Sequence, residues 1–248
     1  MSSGYQSRRA AKREEVRLPV RIKCHESETD EWEELTEVLN VSPFGALLQI
    51  SRPTEPGRLL HLTLPMPRRI RCYDHDDENY RIWSLVRHIK TLTDEKDQLP
   101  HFEIGVAFVG RDCPERHATD PAERYDIASP TIETGLWTLR ERPGADALRP
   151  TSGDRRSEAR HNIADDVVIE IYDAAGCVFA RETTRTENIS RHGMAVITTL
   201  DIARGRYVRV RSARYQIAVI AAVRRLARVG DGRKRLHLEF VDQQWPPL

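Results

Sequence analysis

Two arginines four residues apart, Arg9 and Arg13, stand ahead of the first stretch with strand character, and Arg156 and Arg160 repeat that spacing later. A further arginine precedes each pair, Arg8 in one case and Arg155 in the other. Arginine carries a planar, permanently charged fork that meets phosphate, or the O6/N7 edge of guanine, through two hydrogen bonds at once. Its flat face also stacks on a base. A second element recurs as well: Asn40-Val41-Ser42-Pro43-Phe44-Gly45 is echoed by Asn188-Ile189-Ser190-Arg191-His192-Gly193. Asn offers both donors and an acceptor, Ser a hydroxyl, and Gly a backbone that can turn sharply or be approached closely. A fold that brings the arginine pair against this turn creates a pocket for an anion that carries guanine.

The two elements recur in the same order. Arg9 and Arg156 are 147 residues apart and Asn40 and Asn188 are 148 apart. The stretch from Arg13 to Asn40 is 27 residues and that from Arg160 to Asn188 is 28. Such agreement points to an internal duplication.

The segments between the motifs support that view. Phe102, Ile104, Val106 and Phe108 alternate with smaller or polar residues, as do Leu236, Leu238 and Phe240, the period of a strand with one buried face. Further strands are expected at Val16 to Cys24, Trp32 to Leu39, Ala46 to Ile50, Leu59 to Leu64 and Tyr80 to Leu92. Their counterparts are Val167 to Tyr172, Val178 to Glu187, Met194 to Thr198, Tyr207 to Ser212 and Tyr215 to Val229. Short strands separated by turn signals predict an all-β barrel or sandwich, twice over. Asp173 to Gly176 and Gly230 to Gly232 carry hairpin-turn chemistry.

The first copy is longer between its motif glycine and its last strand, and the excess is expected at Pro65 to Tyr80. Between the copies lies a proline-rich stretch with little strand pattern. The chain therefore divides into a first domain over residues 1–112, a linker over 113–153 with a short helix around Ile132 to Arg142, and a second domain over 154–248.

Composition narrows the function. Hydrophobic residues make up 39% of the chain, and no apolar stretch approaches the roughly 20 residues of a membrane-spanning helix. The opening MSSGYQSRRAAKREE has no apolar signal core, which predicts a cytoplasmic protein without membrane insertion. Cys24, Cys72, Cys113 and Cys177 lack the paired spacing of zinc or redox sites and read as reduced thiols. The acidic run Asp74 to Glu78 lacks the glycine and distal glutamate of a calcium loop, so a solvated loop is expected and no metal ligand is assigned. The scattered histidines come with no nucleophile elbow or comparable motif, so no catalytic residue is assigned and no enzyme is expected.

An RxxxR element, then (D/N)xSxxG about 30 residues on, then a barrel whose last strand reads like Ile104-Gly105-Val106-Ala107-Phe108, resembles the PilZ domain, a family of bacterial receptors for cyclic di-GMP. The resemblance occurs twice and covers most of the chain. It implies two six-stranded antiparallel β-barrels in tandem, with short helices at the linker. It also implies that Arg9 and Arg13 grip a guanine edge and the phosphates, with Asn40, Ser42 and Gly45 as the opposite wall. The matching set in the second copy is Arg156, Arg160, Asn188, Ser190 and Gly193, while Arg8 and Arg155 add stacking or charge. Both copies carry Asn where many members of the family carry Asp. Arg191 and His192 replace Pro43 and Phe44 within the turn, which predicts sites of unequal affinity.

The expected function is a second-messenger receptor with cyclic di-GMP as ligand and no cofactor. Binding would alter the arrangement of the two domains and signal to an unidentified protein partner. Two alternatives stand beside it: a small-barrel nucleic-acid-binding protein using arginine contacts, and one copy serving as a protein-interaction module that binds no ligand. An aromatic content of 6% offers no obvious stacking platform and disfavours nucleic acid. The net charge of +1 conceals an asymmetry, since residues 151–248 hold 17 cations and 12 acids and residues 1–150 hold 22 and 26. The field of the second copy attracts a dianion, which predicts the tighter site there.

Overall fold

The structure, a computed structural model, describes residues 14–92, 101–128, 136–141, 161–173 and 175–247. Strands β1 (Leu18–His25), β2 (Glu31–Ser42), β3 (Gly45–Ile50), β4 (Leu59–Leu64), β5 (Tyr80–Leu92) and β6 (His101–Gly110) form the first barrel. Next come helix α1 (Glu115–Thr119) and two short strands, β7 (Tyr125–Ile127) and β8 (Leu139–Glu141). The second barrel comprises β9 (Asp166–Tyr172), β10 (Val178–Ser190), β11 (Gly193–Thr198), β12 (Tyr207–Ser212), β13 (Ile217–Arg228) and β14 (Lys234–Phe240).

Both barrels are closed and antiparallel, with neighbours in the orders β1-β2-β3-β6-β5-β4 and β9-β10-β11-β14-β13-β12. These orders are the same once the second set is renumbered, so the repeat seen in the motifs extends to the topology. Closure joins β4 to β1 (Ile22 opposite Leu62) and β12 to β9 (Val210 opposite Ile169). A closed barrel leaves no sheet edge to pair with other chains.

Alternation explains why these segments are strands. In β1 the side chains of Val20, Ile22 and Cys24 are buried while those of Arg21 and Lys23 point outward. Phe102, Ile104, Val106 and Phe108 of β6, and Leu236, Leu238 and Phe240 of β14, fill their interiors as expected. Each such side chain contributes about 1.5–3 kcal/mol through apolar burial. Burial also pushes the Cys24 thiol up to about 12. All four cysteines are free.

The expected strands form, with ends moved by a few residues. The motif Asn and Ser are the last paired residues of β2 and β10 rather than turn residues, and the turns proper are Pro43-Phe44 and Arg191-His192. The extra length of the first copy lies mainly between β4 and β5, where residues 65–79 form a loop with a 3-10 turn at Arg68–Ile70, against residues 213–216 in the second copy.

The segment between the barrels differs from expectation. Over the described part of the predicted helix, Leu139–Glu141 is a strand paired antiparallel to Tyr125–Ile127. Among the described residues of this segment a helix comes earlier, at Glu115–Thr119. Tyr125 is buried with Leu59 and Leu85, and Ile127 and Leu139 pack around them. Apolar contact with the first barrel therefore determines the conformation, and three residues are too few for their own pattern to announce a strand.

The barrels meet through buried charge as well as apolar contact. Tyr172, Tyr207, Ile220 and Ala222 of the second barrel join the core cluster of the first. Glu26 receives Arg52 at 3.0 Å from its own barrel and Arg206 at 3.1 Å from the other. Glu55 accepts hydrogen bonds from the Arg224 guanidinium and from the Tyr207 hydroxyl. Burial opposes the charged form of Glu55, but the Arg224 hydrogen bond and neighbouring cations outweigh it, so its carboxyl lies below the usual range. Among the described residues no helix is long and apolar enough to cross a membrane.

Candidate functional site

The site forms where β2 turns into β3, and in the second barrel where β10 turns into β11. A bulge interrupts the pairing between Val38 and Asn40, and another falls between Thr186 and Asn188. A bulge bends its strand and re-aims the next side chain. Asn40 Oδ1 and Asn188 Oδ1 are buried and find no hydrogen-bond partner among the described residues. An unmet buried carbonyl costs about 1–3 kcal/mol, so its recurrence at equivalent positions signals a use.

The serine and glycine have structural duties. Ser42 Oγ donates to the Gly45 carbonyl at 3.2 Å and accepts from the Phe44 N–H at 3.4 Å. Ser190 Oγ donates to the Gly193 carbonyl, also at 3.2 Å. A Cβ on Gly45 would lie 2.1 Å from the Val106 carbonyl oxygen, and one on Gly193 would lie 2.3 Å from that of Leu238. The motif glycine is thus required by the close approach of the neighbouring strand.

The segments that follow the arginines come to the same place. Glu14, directly after Arg13, exchanges two backbone hydrogen bonds with Val41, at 2.9 and 3.1 Å. His161, directly after Arg160, does the same with Ile189, at 2.9 and 3.0 Å. Val41 and Ile189 each follow the motif asparagine. The chain ends of both arginine-bearing arms are therefore anchored beside the buried amide oxygen. Arg8, Arg9, Arg13, Arg155, Arg156 and Arg160 themselves lie outside the described residues.

Residues 154–244 match the PilZ domain. The matched span begins just ahead of Arg155 and contains the whole second barrel together with Asn188, Ser190 and Gly193. No curated protein matches the chain. Among solved structures, the PlzA protein of Borreliella burgdorferi in complex with c-di-GMP is 12% identical, with 93% of this chain and 87% of that chain covered and a TM-score of 0.30. The inhibitor of motility MotI/DgrA of Bacillus subtilis is 16% identical, with coverages of 92% and 89% and a TM-score of 0.29. YcgR of Escherichia coli in complex with c-di-GMP is 12% identical, with coverages of 90% and 76% and a TM-score of 0.24. Superpositions this loose fix no residue correspondence.

Several neighbours of the PilZ-matched turn and of its partner in the first barrel were not legible beforehand. After the last strand of each barrel the chain returns a tryptophan to the motif turn. Trp137 Nε1 donates to the Phe44 carbonyl at 3.0 Å, and the Trp245 N–H donates to the Arg191 carbonyl at 2.8 Å. Trp245 also stacks on Phe240 with centroids 5.4 Å apart. The two tryptophans reach the turns differently, one through its indole and the other through its backbone, and lie at different distances beyond their barrels, so no common spacing announced them. Arg191, one of the replaced turn residues, donates to Gln244 Oε1 at 2.6 Å, so its guanidinium is already engaged beside the second turn.

The 65–79 loop is a built element of the first site's surroundings. Arg71 is buried and donates to four carbonyls, those of Met66, Asp74, Asp77 and Glu78, at 2.6–2.9 Å. Cys72 Sγ lies 3.8 Å from the Pro43 carbonyl oxygen, which holds the loop against the motif turn. Asp76, Asp77 and Glu78 are exposed, in keeping with a solvated acidic stretch. No three His, Cys, Asp or Glu side chains gather as a metal site among the described residues.

Among the described residues, each candidate site brings together a polar turn held by its own hydrogen bonds, one amide oxygen without a partner, and the bridging residue, Glu14 or His161, that follows the arginines in sequence. The hydroxyl, amide and backbone groups of this turn can meet a ligand that carries hydrogen-bond donors.

Proposed function

We propose that the chain is a cyclic di-GMP receptor in which each barrel provides one site. The observation that carries this is the twofold anchoring of an arginine arm beside an unpartnered asparagine oxygen, at Val41 and at Ile189. The PilZ match over residues 154–244 supports the reading for the second barrel, and the shared topology extends it to the first. Arg9 and Arg13, or Arg156 and Arg160, hold phosphate and the guanine O6/N7 edge. Asn40 or Asn188 accepts a hydrogen bond from the ligand through its free oxygen.

Ligand contact through the arginines converts binding into a signal. The bridges at Val41 and Ile189 transmit it to the barrels and so to their mutual arrangement, which the Glu26–Arg206 and Glu55–Arg224 contacts now define. A protein partner reads the changed surface. The test is a calorimetric titration with cyclic di-GMP, cyclic GMP-AMP and a short single-stranded DNA at two salt concentrations. Micromolar or tighter binding of cyclic di-GMP, with little heat from the single strand, is expected. Preference for the single strand with a steep loss at higher salt would contradict the proposal.

A further inference from the structure

Arg69 and Glu14 form an ion pair at 2.6 Å across the gap between the 65–79 loop and the first arm. Arg69 sits in the 3-10 turn and its side chain is 70% exposed, while that of Glu14 is 30% exposed. The loop behind it is firm, because Arg71 binds four of its carbonyls and Cys72 rests on Pro43. Glu14 in turn is bonded through its backbone to Val41, next to Asn40. A guanidinium is thereby held over the residue that bridges to Val41, one position from Asn40, with a carboxylate on it. Among the described residues the second barrel has no counterpart, since residues 213–216 directly connect its equivalent strands and His161 replaces Glu14.

We propose that Arg69 is an additional phosphate-contacting residue of the first site, and that Glu14 occupies it until the ligand arrives. The inference rests on the cyclic di-GMP reading of that site. An exposed ion pair is worth little, about 0–1 kcal/mol, so it is readily surrendered. A phosphodiester offers the same charge-assisted, two-oxygen geometry as the carboxylate and brings other contacts with it. Glu14 is thus an internal competitor, and the added cation partly offsets the acidic balance of the first copy.

The opposite roles of the two partners give a test that a merely structural pair cannot imitate. Glu14→Gln and Arg69→Ala both abolish the ion pair, so a structural role would shift binding the same way in each. The proposal requires opposite signs. In an Arg160→Ala background, which leaves the first site, Glu14→Gln should tighten cyclic di-GMP binding by about threefold, near the upper end of what an exposed pair is worth. Arg69→Ala should weaken it by about tenfold, the value of one charge-assisted contact. Arg69→Lys, which keeps the charge and loses the fork, should fall between. Thermal unfolding of the variants should be nearly unchanged. Shifts of the same sign, or none, would overturn the role of Arg69 while leaving the receptor reading intact. Loss of all binding in Arg160→Ala alone would show a silent first site and would also overturn it. A wild-type protein that binds no cyclic di-GMP would instead defeat the receptor reading itself.

Discussion

His161 and Ile189 exchange two backbone hydrogen bonds, at 2.9 and 3.0 Å, and this short bridge fixes where the arm bearing Arg160 meets the motif turn. Glu14 and Val41 make the same bridge in the first barrel. Among the described residues Glu14 and His161 pair as single bridges outside the named strands, while Val41 and Ile189 lie within β2 and β10, so each bridge pins the arm to the barrel wall.

Replacing His161 with proline removes the N–H that donates to Ile189 and keeps the Arg160 side chain in the sequence. The net cost of one such bond is about 1 kcal/mol. Cyclic di-GMP affinity at the second site should fall about fivefold, the equivalent of that bond, with the unfolding midpoint of the barrel lowered by no more than several degrees. Calorimetry and a thermal melt on the same sample check both.

Asn188 contributes an oxygen that no described residue uses. Asn188→Ala should therefore weaken ligand binding by about tenfold or more, without the stability loss that usually follows removal of a buried polar group. An equal fall in stability and affinity would assign Asn188 to the turn instead.

Gly193→Ala should behave in the reverse way. The new Cβ would fall 2.3 Å from the Leu238 carbonyl oxygen, so β11 and β14 must separate. A loss of about 2 kcal/mol or more is expected from such a backbone clash. Denaturant unfolding measures it, and the same substitution at Gly45 should act alike against Val106.

His117 of α1 supplies a pH dependence. It is 3% exposed, its ring meets Trp83 at 5.3 Å, and burial, with Arg58 and His25 nearby, lowers it to about 4. The unfolded chain takes up this proton near pH 6.5, while the folded chain resists until about pH 4. The unfolded state thus binds more protons in that window, and stability falls as pH drops from 6.5 toward 4. His117→Phe should flatten the dependence of the melting temperature across that range. A slope unchanged by the substitution would show that other groups cause it.

The fold was legible because its signals are local. Phe102, Ile104, Val106 and Phe108 announce a one-faced strand without reference to anything else, and the repeated Asn, Ser and Gly announce a duplication. What depends on distant partners was hidden. Leu139–Glu141 is a strand because Tyr125–Ile127 lies beside it, and local pattern suggested a helix. Glu26 and Glu55 resemble surface acids until Arg206 and Arg224, 180 and 169 residues away in sequence, are found against them. At the site, the residue types of both turns were evident, but the bulges that free Asn40 and Asn188 leave no mark in composition. Arg69 and Arg71 were indistinguishable from the other 32 arginines until the loop placed them.

The central claim is that each barrel holds its own dinucleotide site through its own arm. Its most direct test is the stoichiometry of cyclic di-GMP binding by the full chain and by Arg13→Ala, Arg160→Ala and the double variant. Two independent sites are predicted, with one lost in each single variant and none left in the double. Undiminished binding by the double variant, or loss of both sites through either single change, would contradict it.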